Sequence, residues 1–352
     1  MRVPYGYLSR EFETLDLSVF NEQIKTGDLT LGAPVREFEK QLADYTCSKY
    51  ALGVANGTDA LEISLHAASK DSLHSEVIVP ANTFVASVSA IVREGLTPVF
   101  CDVDEKFVLD PEDVARRIND HTLAIMAVHF QGQPCDVKSL VPLAEQNDTW
   151  IIEDAAQALD AAVDGKMCGT FGEFGCFSFH PQKNLNCLGD GGAIVANGTH
   201  EYLDKYRNHG MSSRDTYEYF GRNSRLDSLN ALYLSENLPK LHAWNDRRIA
   251  VAKHYDDELS QINGIIIPPR SANERHTYHL YMIRVPQRDD LYSYLQAQGV
   301  DARIHYPVPL HLQNCSRYLW HKEGDFPNAE RFAKEMISLP IHQFITDEEV
   351  NY

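Results

Sequence analysis

Within FGCFSFHPQKNLNCLGDGG, residues 174–192, an apolar run ends at Phe179, and Lys183 follows in a turn that closes on glycines. A lysine taken alone is a solvated surface charge. Placed just past the carboxyl end of a strand, where open α/β sheets bind their ligands, its amine can instead point into a cleft and attack a carbonyl. Asp154 closes the apolar run WIIED; a carboxylate at the end of a buried strand calls for a cationic partner, such as a protonated pyridine nitrogen. By itself Asp154 also reads as a helix N-cap. Gln157, one turn later, could bond a phenolic oxygen. VANGTDALEISL offers a strand, an Asn-Gly turn and a helix starting near Thr58, so that Gly57, the Thr58 hydroxyl and the open amides could take a phosphate. Ser178, five residues before Lys183, could add a hydroxyl, and Phe84 in PANTFVAS could stack on a flat ring. An aldehyde on a protonated pyridine with a phosphate handle is pyridoxal 5'-phosphate, an electron sink only while its ring nitrogen keeps the proton.

The elements that must position these residues are visible as pattern. Short apolar runs at 51–55, 76–80, 98–103, 123–130, 150–154, 174–179 and 192–196 predict seven strands. Helical spacing at 59–69, 83–95, about 111–118 and 138–147 supplies the crossovers of a mostly parallel sheet covered on both faces. After about 226 a long helical pattern runs on with one proline at 239 and leads into a mixed C-terminal region, strand-like at 278–285 and helical at 289–299. The expected architecture is α/β, with a large domain over 1–235 and a smaller α+β domain over 236–352. A helix begins at TDEEV, near the end of the chain, and reads as one cut short.

With 352 residues, 43% of them hydrophobic, the chain can bury a large core. Fifty acidic against 32 basic residues give a formal charge of −18, which repels nucleic acid and anionic membrane over most of the surface. Neither a leader pattern nor an apolar run of about 18 residues is present, so a soluble cytoplasmic protein is expected. Seven scattered cysteines without CxxC pairs read as reduced thiols, and the 15 histidines fall in no metal-binding spacing, so no metal site is expected.

The blocks LGAPVREFEKQLADY, VANGTDAL, VIVPANTFVAS, IIEDAAQAL, CFSFHPQKNL with GDGG, NSRLDSLNAL, HYPVPLH and SLPIH follow one another along nearly the whole chain. In them the sequence resembles the sugar aminotransferases of the DegT/DnrJ/EryC1/StrS family, within the fold-type I pyridoxal-phosphate superfamily. The resemblance implies Lys183 as the Schiff-base lysine, Asp154 as partner of the pyridinium nitrogen and Gln157 as neighbour of the phenolic oxygen. It likewise implies Phe84 as the stacking ring and Gly57, Thr58 and Ser178 as phosphate ligands. Asn223, opening NSRLD, matches an asparagine that reaches the phosphate from the partner subunit, which implies a homodimer with shared sites. His305, Tyr306 and His311 match a block near the sugar and the dimer interface. The implied reaction moves an amino group from L-glutamate to a keto-sugar linked to dTDP, UDP or GDP, in amino-sugar biosynthesis for surface polysaccharide or a secondary metabolite, and GDGG points toward a 3-keto acceptor.

Two positions depart from the family pattern: Asn230 stands where glutamine is frequent, and the lysine turn reads NLNCLG where a glycine often follows NL. Related enzymes aminate cyclitols or sugar phosphates without a nucleotide, or make an aminobenzoate; those acting on cyclitols or making the aminobenzoate tend to carry glutamine at the place of His180. A non-catalytic regulatory relative that binds the cofactor is a further reading, against which Lys183 and Asp154 both stand. An unrelated nucleotide-binding α/β protein would show a GxGxxG or GxxxxGK[ST] loop after the first strand, and neither occurs there.

Overall fold

A computed structural model describes residues 1–13, 15–198 and 201–352. At its centre lies a sheet of seven strands: β1 (Tyr50–Val54), β2 (Glu76–Pro80), β3 (Thr97–Cys101), β4 (Thr122–Val128), β5 (Trp150–Asp154), β6 (Phe174–Ser178) and β7 (Gly192–Ala196). Across the sheet they run β1-β7-β6-β5-β4-β2-β3. The β4 segment TLAIMAV is buried at every residue, as expected of a strand covered on both faces by crossover helices. Those helices are Gly57–Ser69, Val85–Arg93, Pro111–Arg117 and Val137–Gln146. Three of them begin on an Asn or Asp whose side chain accepts an amide of the first turn: Asn56, Asp110 and Asp136.

The pairing from β3 through β6 is parallel, whereas β7 is antiparallel to both of its neighbours, β1 and β6. The cause is the connection. The Lys183 turn that joins β6 to β7 contains no helix, and a strand reached without a crossover returns antiparallel.

Beyond the sheet, the long helical pattern divides. Ser228–Asn237 ends at a turn of 3-10 helix, Leu238–Lys240, and Leu241–Leu259 continues from there. Pro239 in that turn has no amide to donate, so the helical ladder is interrupted at its place. Two further strands, β8 (Tyr281–Arg284) and β9 (Met336–Leu339), pair antiparallel. The strand expected from 278 starts only at Tyr281. Tyr278 has φ +46°, and its amide is taken by His276 Nδ1 at 2.9 Å, so it cannot extend a ladder. Val3 from the N-terminus packs in the same cluster as Val251, Tyr281, Ile283 and Ile337. Asp347–Asn351 is helical, opened by a capping box between Thr346 and Glu349. No helix among the described residues is long and apolar enough to cross a membrane.

Candidate active site

Because β2, β4, β5 and β6 point the same way, their carboxyl ends share one edge of the sheet, and a cleft of about 860 Å³ opens there. Lys183, Asp154, Gln157, Ser178, Gly57, Thr58, Phe84, His305 and Tyr306 all line it. They come from chain positions up to 249 apart, the span from Gly57 to Tyr306.

Asp154, the last residue of β5, is 6% exposed. Its Oδ2 accepts from Ser87 Oγ at 2.7 Å and its Oδ1 from the Ala156 amide at 3.2 Å. Burial pushes the Lys183 amine down from its ordinary value of 10.5 to about 8, partly opposed by the negative charge of Asp154. An amine so placed is a far better nucleophile near neutrality than a surface lysine.

The Asn56 side chain accepts from the Asp59 amide at 2.8 Å and the Asn56 carbonyl from the Ala60 amide, so the amides of Gly57 and Thr58 are the open donors of that helix start. Gly57 is required by a close approach: a Cβ built there would lie 2.7 Å from Ser178 Cβ. Gln157 Oε1 accepts from the Gln131 amide at 2.5 Å, which leaves its NH2 group as a donor. Phe84 is half-exposed within the cleft, its ring centroid 5.9 Å from that of Tyr306. One acceptor-only carboxylate, one buried amine, a cradle of amides with a hydroxyl, and an exposed aromatic face together match the ring nitrogen, aldehyde, phosphate and flat ring of pyridoxal phosphate.

The sequence model of the DegT/DnrJ/EryC1/StrS aminotransferase family matches residues 11–352. The chain belongs to this family. It is 38% identical, over 97% of its own length and 91% of the relative's, to the dTDP-3-amino-3,4,6-trideoxy-alpha-D-glucose transaminase of Streptomyces venezuelae. It is 37% identical to a protein of Geobacillus stearothermophilus named a pleiotropic regulatory protein, covering 100% of this chain and 96% of that one. Among solved structures, S. venezuelae DesV in complex with a ketimine intermediate superposes with a TM-score of 0.96 at 36% identity, covering 99% of this chain and 96% of that one. The protein is an aminotransferase, and its cofactor is pyridoxal phosphate.

Two residues singled out by the family resemblance lie elsewhere in this aminotransferase. His311 is buried, with Nε2 3.0 Å from Glu330 Oε1 and its ring against Phe326, because the short 3-10 turn Leu310–Leu312 carries it inward. Asn223 is exposed and does not line the cleft; it sits in an isolated bridge with Asn208. Asn230, one of the two departures, ties down the lysine turn: its Oδ1 accepts from the Leu188 amide at 3.0 Å.

Tyr7, Arg248 and His279, also of the cleft, carried no local signal. Tyr7 donates to the Lys183 carbonyl at 2.9 Å across 176 positions of chain. Arg248, 1% exposed, is anchored by Gln343 Oε1 and by the carbonyls of Tyr278 and Ile341. The imidazole of His279 lies by the Asn184 side chain, and burial, followed by the charge of Lys183, holds it well below the usual histidine range. His305 is pushed down to about 4, first by burial and then by Arg303 and Lys183, so it is neutral at physiological pH; its Nδ1 lies 2.9 Å from Ser338 Oγ.

Proposed function

We propose that this aminotransferase moves an amino group from L-glutamate to a keto-sugar carried on a nucleotide, in the making of an amino sugar. The observation that carries the reading is the meeting of Lys183 and Asp154 in one cleft of a chain whose relatives over nearly its full length are named as dTDP- and UDP-sugar transaminases. A cleft of about 860 Å³ is at the upper end of what small ligands need, with room for a substrate beside a cofactor.

When bound, the cofactor supplies an electron sink that lets a C–H bond next to nitrogen be broken and remade. Lys183 Nζ would hold it covalently and, as a free amine, would serve as the base and acid that moves the proton. Asp154, which lines the cleft, would pair with the ring nitrogen and favour its proton. The Gln157 NH2 group would donate to the phenolic oxygen, and Phe84 would cover one face of the ring and keep water from it. The Gly57 and Thr58 amides, with the hydroxyls of Thr58 and Ser178, would bind the phosphate. His305 and Tyr306, which line the same cleft, would meet the sugar.

We further propose a homodimer in which Asn223 completes the partner's phosphate site. Its exposure fits that role, as does that of Tyr217 and Phe220 just before it, at 59% and 103%.

The test is the visible spectrum of the purified protein. L-Glutamate without acceptor should bleach the cofactor band and yield one 2-oxoglutarate per site, and keto-sugar nucleotides should then restore the band. Lys183→Ala should bind the cofactor without covalent attachment. The name of the Geobacillus relative favours a second reading, a regulator that binds the cofactor without turnover; a band that L-glutamate leaves unchanged would support it.

A further inference from the structure

Asp154 is held by more than its own strand. Ser87 Oγ, which donates to Asp154 Oδ2 at 2.7 Å, lies 3.0 Å from Thr83 Oγ1. Ser87 is fully buried and Thr83 is 2% exposed. A hydroxyl has one proton to give, and an ionised carboxylate only accepts. Ser87 therefore gives its proton to Asp154, and Thr83 must be the donor to Ser87. The chain of hydroxyls has a direction, Thr83 to Ser87 to Asp154, charge-assisted at its last link, and each bond polarises the next.

With Oδ2 taken by Ser87 and Oδ1 by the Ala156 amide, neither oxygen can swing without breaking a bond in a buried place. The hydroxyl pair also has a second connection to the cofactor site. Ser87 lies in the first turn of the Val85–Arg93 helix and Thr83 directly precedes its N-cap, Phe84; the Ser87 amide donates to the Phe84 carbonyl at 3.2 Å. One turn of chain, 83–87, thus carries the aromatic face and the clamp on the carboxylate.

We propose that Thr83 and Ser87 are positioning residues that hold the Asp154 carboxylate against the ring nitrogen of the cofactor and so decide how fully that nitrogen keeps its proton. This rests on the role given to Asp154 above. An apolar pair at these positions would leave Oδ2 of a buried carboxylate without a donor.

The experiment loads the parent enzyme, Ser87→Ala, Ser87→Thr, Thr83→Val and Asp154→Asn with cofactor isotope-labelled at the ring nitrogen. It reads the nitrogen chemical shift by NMR, together with kcat and KM for L-glutamate. In Ser87→Ala the shift moves toward that of an unprotonated pyridine, and kcat falls about tenfold, the worth of one charge-assisted hydrogen bond, with KM little changed. Ser87→Thr keeps the parental shift, Thr83→Val moves it less than Ser87→Ala, and Asp154→Asn moves it most. A parental shift and kcat in Ser87→Ala, beside a displaced shift in Asp154→Asn, overturns the clamp and leaves the role of Asp154 standing. A parental shift in Asp154→Asn overturns both. Should Ser87→Ala fail to fold, the nearly isosteric Thr83→Val decides, and a parental shift there counts against the proposal.

Discussion

At the scale of single residues, the depressed basicity of Lys183 has a measurable consequence. The neutral amine is the nucleophile, so covalent capture of pyridoxal phosphate by the apoprotein should quicken as pH rises and level off above about 8, not above 10.5. The sign follows from burial, which disfavours the charged form: at pH 8 the neutral fraction is roughly a hundredfold that of an ordinary lysine. Stopped-flow absorbance across pH checks it, and a rate still climbing at pH 10 would contradict the assignment. Gly57 makes a steric prediction. Because a Cβ there would meet Ser178 Cβ at 2.7 Å, Gly57→Ala should push the phosphate cradle apart and weaken cofactor binding by roughly tenfold to a hundredfold in Kd, with the fold intact by circular dichroism.

At the scale of elements, the end of β5 presents two adjacent carboxylates to opposite sides of the sheet, as the alternation of a strand requires. Asp154 faces the cleft; Glu153, fully buried, accepts from the amides of Gly169, Phe171 and Gly172 at 2.7, 2.6 and 2.7 Å. Its Oε2 is also 2.8 Å from His129 Nε2. His129 Nδ1 accepts from the Cys135 amide, so the ring proton is on Nε2 and points at Glu153. Glu153 therefore fastens the loop before β6 and the turn after β4 to the strand that carries Asp154. Glu153→Gln turns an NH2 group toward amide donors and should cost about 2–4 kcal/mol, read as a lower urea midpoint at unchanged m-value, with looser cofactor binding as a second effect.

At the scale of the whole molecule, the proposed shared-site dimer can be tested by complementation. Lys183→Ala and Asn223→Asp should each be inactive alone, the second because a carboxylate replaces an amide beside a phosphate. In a mixed dimer, one of the two sites pairs an intact Lys183 with an intact Asn223, so random reassortment should restore about a quarter of the parental activity. No recovery after subunit exchange, verified by mass spectrometry of the heterodimer, would mean that Lys183 and Asn223 of one subunit serve the same site, or that Asn223 serves none, and would overturn the shared-site proposal.

How much of this was legible beforehand depended on how local its cause was. Each of the seven apolar runs became a strand of the sheet, because the covering of both faces by helices leaves a mark in every strand, as in the wholly apolar core of β4. Lys183 and Asp154 stood out because each follows or ends such a run, and an α/β sheet gathers those ends at one edge. Periodicity reports that a face is buried, not what it is buried against. The insertion of β7 between β1 and β6, the inward turn of His311 onto Glu330, the contact of Tyr7 with the Lys183 carbonyl and the hydroxyl chain from Thr83 to Asp154 are pairings between distant positions. The basicity of Lys183 is likewise a property of its surroundings, since desolvation exists only once the walls of the cleft have closed around the amine. The sequence by itself determined the elements, the family and the chemistry of the principal groups; only the tertiary structure decided which side chains hold those groups in place, because hydrogen bonding and desolvation are set by neighbours in space.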